Sequence, residues 1–142
     1  MSAFDLDAFL PYQLAVLASR VSRGLAEHYR SRYGIGIPEW RVLAHLYQSG
    51  AVSVREVHAR VDMDKSKVSR AAARLEAGGL VRKLPHSSDR RLVELTLTDK
   101  GRAMMDDLIP MARAYEAETL AALGPDADRF RAAIGTLLES TK

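Results

Sequence analysis

Two short stretches of this chain carry side chains that could work on a polyanion. In the first, Lys65, Ser66, Lys67, Ser69, Arg70 and Arg74 fall within ten consecutive residues. On a helical wheel, Val68, Ala71, Ala72 and Leu75 share one side, and Ser66, Arg70, Ala73 and Ala77 lie opposite. Ser69 sits on one flank, and Lys67 and Arg74 on the other. The outward face is therefore basic, hydroxylated and otherwise small. Reading a DNA major groove asks for this mixture: Arg for guanine edges, Ser and Lys for bases or phosphates, and Ala where the backbone must come close. The second stretch is Asp89-Arg90-Arg91, preceded by Arg82. Its carboxylate can orient one guanidinium and leave the other for a phosphate or the minor groove.

Charge is distributed to match. Residues 55–102 hold twelve Lys and Arg against seven Asp and Glu, a net of +5, whereas the whole chain carries only +3. Basicity concentrated in the middle third is the electrostatic footprint of a polyanionic partner. Other chemistries find little to build on. The chain has no cysteine, which closes disulfides, thiolate catalysis and thiol redox sensing. His28, His45, His58 and His86 are scattered, the serines fall in caps and turns, and no glycine-rich phosphate loop is present. His45 and His58 come closest to a metal pair, yet they lack further ligands at the needed spacing. The expectation is a protein that is not an enzyme and uses neither metal nor cofactor. With acidic residues near its start and no long apolar run, it is expected in the cytoplasm, away from membranes.

At 142 residues the chain fits one structural unit with a core of its own. A helix is predicted over 7–33, with Leu10, Leu14, Leu17, Val21, Leu25 and His28 on one face and Gly34-Ile35-Gly36 ending it. Pro38 suits the first turn of a second helix, 38–48. Ser53-Val54-Arg55-Glu56 reads as a capping box, in which Ser53 Oγ takes the Glu56 amide and the Glu56 side chain reaches back to the Ser53 amide. It opens a short helix, 54–60. Asp64 caps a fourth helix, 65–77, which Gly78-Gly79 ends through left-handed dihedrals. The apolar period then changes to two over Leu80–Leu84 and Arg91–Thr98, a hairpin across a turn-rich 85–90. Thr98 can cap a helix over 99–122 that Pro110 should bend, and Gly124-Pro125-Asp126 starts a last helix. Two short capped helices split by a tight turn, Val61-Asp62-Met63, and followed by a basic hairpin predict a winged helix-turn-helix within a mainly α fold.

At this point the residues resemble a known family. Met63–Arg70, Leu75–Arg82, Ser88–Arg91 and Leu95–Gly101, with Ile37–Leu43 in the second helix, are similar to the signature of the MarR family of transcriptional regulators. The resemblance covers nearly the whole chain as a single unit. It implies a homodimer joined through the first helix and the last two (7–33 and 99–142). It also implies a DNA-binding part over 38–98, a wing arginine in D-x-R, and often a small aromatic or phenolic effector. A two-fold dimer would read a palindromic operator in double-stranded DNA. The apolar stripes of the terminal helices, more than one small winged domain needs, point to dimerisation independently. For the effector, Arg41 could pair a carboxylate while Trp40 and Tyr12 stack on its ring, with His28 nearby. The competing reading is a winged-helix protein-interaction module that does not touch DNA; the clustered arginines argue against it.

Overall fold

The computed structural model describes residues 3–85 and 93–142. Its elements run α1 (Leu10–Tyr33), α2 (Ile37–Ser49), β1 (Val52–Ser53), α3 (Val54–Arg60), α4 (Lys65–Ala77), β2 (Val81–Pro85), β3 (Val93–Leu97), α5 (Asp99–Ala121) and α6 (Ala127–Ser140). Short 3-10 turns at Leu6–Ala8 and Gly124–Asp126 precede α1 and α6. The first predicted helix is thus two pieces, because Phe9 is extended (φ −84°, ψ 119°) and Pro11 opens α1. No helix among the described residues is long and apolar enough to cross a membrane.

The chain divides into two compact units, Met1–Ile109 and Pro110–Lys142, with Pro110 inside α5. In the first unit the core gathers Tyr29 from α1, Val42, Leu43 and Leu46 from α2, and Val57 from α3. It also takes in Val68, Ala71, Ala72 and Leu75 from α4, Leu95 from β3, and Met105 and Leu108 from α5. The small residues at 71 and 72 let α4 lie close on α2, the partner it packs against most. The sheet is antiparallel in the order β1-β3-β2, with Val52 opposite Leu95 and Val81 opposite Leu97. Strand β1 is two residues long and carries no alternation of its own, so only its pairing with β3 reveals it.

The sequence period groups apolar residues of α1 on one face, and the core takes other residues of that helix. Tyr29 and Ala26 are the buried residues of α1, whereas Leu10, Leu14 and Leu17 are 43–52% exposed and His28 is exposed with them. The stripe faces outward. In the second unit no residue of α6 is buried, and Ile134, Leu137 and Leu138 are exposed as well.

Candidate nucleic-acid interface

The helix-turn-helix is fixed by caps that can be followed bond by bond. Ser53 Oγ accepts the Glu56 amide at 3.1 Å, as the capping box requires. The return bond differs: Glu56 Oε1 takes the Ser53 hydroxyl, at 3.4 Å. Ser53 also belongs to β1, where its backbone is paired opposite Glu94. In the turn, Asp62 adopts φ 54°, a left-handed conformation that aspartate tolerates better than most side chains. His58 Nδ1 lies 2.6 Å from the Met63 carbonyl; because a carbonyl only accepts, that nitrogen carries the proton. His58 therefore latches the turn shut, and its ring is used in structure.

Asp64 caps α4 by accepting the Lys67 amide and the Ser66 hydroxyl, both at 2.8 Å. These bonds hold its carboxyl below the usual aspartate range, the Lys67 amide contributing most. At the far end only Gly79 is left-handed (φ 74°), while Gly78 stays helical (φ −81°). Gly79 N–H donates to Glu76 O at 3.0 Å and Leu80 N–H to Leu75 O at 2.9 Å, the paired bonds of a Schellman ending. Lys100 of α5 donates to the Gly78 carbonyl at 3.0 Å. The fourth helix is thus closed at both ends by groups outside it.

Between these caps the predicted division of α4 holds. Val68, Ala71, Ala72 and Leu75 are at most 2% exposed, and Lys65, Ser66, Lys67, Ser69, Arg70, Ala73 and Arg74 are exposed. Two of these side chains are already engaged: the Ser66 hydroxyl donates to Asp64, and Arg74 Nε donates to Glu39 Oε1 at 2.5 Å. Arg82 is exposed on β2. Asp89, Arg90 and Arg91 lie outside the described residues. A groove of about 270 Å³ is lined by Ser53, Arg55, Lys65, Ser69, Lys83 and Val93, among others. Arg55 and Lys83 are cations that the wheel of α4 could not reveal, since they enter from α3 and β2. Lys83 also lies 3.9 Å from Glu76.

Of the residues considered for an effector, Tyr12 stands far from His28. Tyr12 and His28 stand sixteen residues apart on the continuous α1, about 24 Å along its axis. Trp40 stacks on Tyr29 at 5.2 Å with the rings 13° apart, so one face of its indole is taken. Arg41 is partly buried beside it. Burial pushes the Tyr29 hydroxyl up to about 12, against the opposing fields of Arg30 and Arg41. Tyr29 and Arg30 were invisible as partners because they share no sequence neighbourhood with α2. His45 is buried with Nε2 unpartnered among the described residues. No cluster of three or more metal-ligating side chains occurs among those residues.

A capped helix-turn-helix, an exposed basic helix and a three-stranded antiparallel sheet define the architecture of a winged-helix DNA-binding protein. Comparison with known proteins sharpens the class. Residues 33–92 match the family model described as MarR family. The chain is similar to the solved MarR family transcriptional regulator SPO1453 from Silicibacter pomeroyi DSS-3, with 32% identity and a TM-score of 0.86. That similarity covers 99% of this chain and 100% of that one. It is 34% identical over 96 residues to the HTH-type transcriptional regulator TtmR of Methylorubrum extorquens. The match covers 68% of this chain and 47% of the longer relative. It is also 25% identical, with a TM-score of 0.82, to BpsR of Bordetella bronchiseptica, covering 99% of this chain and 97% of that one. BpsR's DNA binding is regulated by 6-hydroxynicotinic acid. The chain belongs to the MarR family and is a DNA-binding transcriptional regulator, not an enzyme.

Proposed function

We propose that this regulator is a homodimeric repressor that reads a palindromic operator with α4 and leaves it when a small aromatic acid binds. The observation that carries the DNA-reading part is the exposed face of α4, with Lys67, Ser69 and Arg70 outward and Val68 and Leu75 fully inward. Arg70 is the base-reading residue. Lys65, Arg55, Lys83 and Arg82 are assigned to phosphates, as are Arg90 and Arg91, which lie outside the described residues. Dimerisation is supported by the exposed apolar residues at both ends of the chain: Phe4, Phe9, Leu10, Leu14 and Leu17 at one, and Ile134, Leu137 and Leu138 at the other. Burying each large apolar side chain contributes about 1.5–3 kcal/mol, so a second copy is the natural cover. Two equivalent reading helices then meet half-sites about one helical turn apart, ~10 bp.

The effector reading rests on Trp40 and Arg41 at the start of α2. One indole face is stacked on Tyr29, and the other face and the Arg41 guanidinium are assigned to an aromatic carboxylate. Tyr12, about 24 Å from His28 on the same helix, joins such a site only from the second copy. The ligand responsible for regulating BpsR is an aromatic acid, which favours this class. An effector needs differential affinity alone: preferring the non-binding dimer shape by ~100-fold shifts the balance by about 2.7 kcal/mol. The test is to select duplexes from random DNA, then challenge the complex with a panel of aromatic acids. Release of wild type but not of Arg41→Ala is expected; a complex that no acid releases sinks the effector reading. The interaction-module alternative has no observation in its favour.

A further inference from the structure

Glu39 stands in the first turn of α2, and its side chain is only 13% exposed although it bears a charge. One of its oxygens, Oε1, takes Arg74 Nε. The other, Oε2, lies over the start of the helix, 3.2 Å from where a Cβ on Gly36 would stand. A carboxylate there is favoured by the helix dipole, and the next residue, Trp40, is locked against Tyr29 of α1. Glu39 thus belongs to the frame made by α1 and α2, whereas Arg74 belongs to the reading helix.

The bond leaves Arg74 divided. A guanidinium offers five N–H donors in a planar fork. Glu39 engages the Nε edge, yet the Arg74 side chain remains 53% exposed on the helix that presents Lys67 and Arg70 to solvent. An arginine already held by one edge loses less freedom when its other edge meets a phosphate. We infer that Glu39 is a positioning residue for DNA binding: it grips Arg74 by Nε so that the terminal nitrogens are aimed at a backbone phosphate. The inference rests on α4 being the reading helix.

The sign of one substitution separates this from simple electrostatics. Removing a carboxylate next to a surface that binds a polyanion should tighten binding through charge alone; a positioning role requires the opposite. The affinity of the full-length protein for a selected duplex would be measured by fluorescence anisotropy across roughly 50–200 mM salt. Glu39→Gln should weaken binding roughly two- to fivefold, the range of a half-exposed ion pair, and in an Arg74→Ala background should leave binding unchanged or tighten it through charge alone. Arg74→Ala should flatten the salt dependence by about one phosphate contact. Arg74→Lys keeps the charge but has no Nε, so it should lose affinity like Glu39→Gln while keeping the salt slope. Unchanged or tighter binding by Glu39→Gln, or the same effect in both backgrounds, overturns the inference. Should Glu39→Gln fail to fold by circular dichroism, Arg74→Lys decides, and wild-type affinity there overturns it equally. Loss of binding with Arg70 variants but never with Arg74 variants would remove the positioning role and leave the DNA-reading helix standing. Wild-type protein that selects no duplex would remove the reading itself.

Discussion

Replacing Gly101 by alanine sets two effects of opposite sign against each other. Gly101 lies in the first turn of α5, and alanine inside a helix is ordinarily favoured over glycine by about 1 kcal/mol. Here a Cβ would stand 2.1 Å from the Leu80 carbonyl oxygen, 3.0 Å from its carbon and 3.3 Å from Leu97 Cδ2. The closest atoms are backbone and cannot rotate away. They are also tied down: Leu80 N–H bonds to Leu75, the Leu80 carbonyl takes the Thr98 amide at 3.1 Å, and Thr98 Oγ1 bonds both Gly79 O and the Gly101 amide. Overpacking of this kind costs about 1–3 kcal/mol, with the upper end expected where the obstacle is backbone. Against a gain of about 1 kcal/mol, the net expectation is a loss of about 2 kcal/mol, or a fall in Tm of roughly 5–10 °C for a chain of this size. Because the strained junction joins α4, the wing and α5, DNA affinity should fall at temperatures where the variant is still folded. Thermal melts followed by circular dichroism, with binding measured well below the transition, provide the check. A Gly101→Ala protein as stable as wild type, or more so, would refute the close packing of α5 against Leu80.

Two further outcomes follow from the same structure. Burial, then the field of Arg60, lowers the pKa of His45 below 6.5, with Glu56 opposing. As pH falls through 6.5 the unfolded chain takes up its proton first, so stability drops between 6.5 and the lower folded value. Urea melts from pH 8 to 5 should show that drop, and His45→Leu, which also removes an unpartnered buried nitrogen, should reduce it; an identical pH profile in both proteins would contradict the assignment. Light scattering at micromolar concentration should give twice the 15.7 kDa chain mass. Leu14→Glu with Leu138→Glu should return it toward the single chain, and a wild-type monomer that binds DNA tightly would sink the dimer.

What the sequence revealed and what it concealed divide along the range of the forces involved. Helices α3 and α4 were legible to the residue because Ser53, Asp64 and Gly79 act within one turn of where they stand. The exposed basic face of α4 was legible for the same reason, since its inner side is a helical repeat of Val68, Ala71, Ala72 and Leu75. Strand β1 was not, because two residues become a strand only through pairing with β3, some forty positions away. The period of α1 showed that Leu10, Leu14 and Leu17 share a face, but not that Tyr29 and Ala26 would be the buried ones. The Glu39–Arg74 pair and the groove holding Arg55 and Lys83 join side chains from separate elements, so no local pattern announces them. The Glu56 carboxylate takes the Ser53 hydroxyl in place of the amide that the capping box led one to expect.

The most direct test of the account is the specificity ratio of Arg70→Ala. Wild type and variant would be titrated, at one fixed salt concentration, with a selected operator and with a scrambled duplex of the same length. If Arg70 reads a base edge from the exposed face of α4, the variant loses about 1–3 kcal/mol on the operator. It loses much less on the scrambled duplex, so the ratio of the two affinities falls roughly tenfold or more. An unchanged ratio, with both affinities intact or both reduced alike, would contradict the claim that α4 reads sequence through this residue.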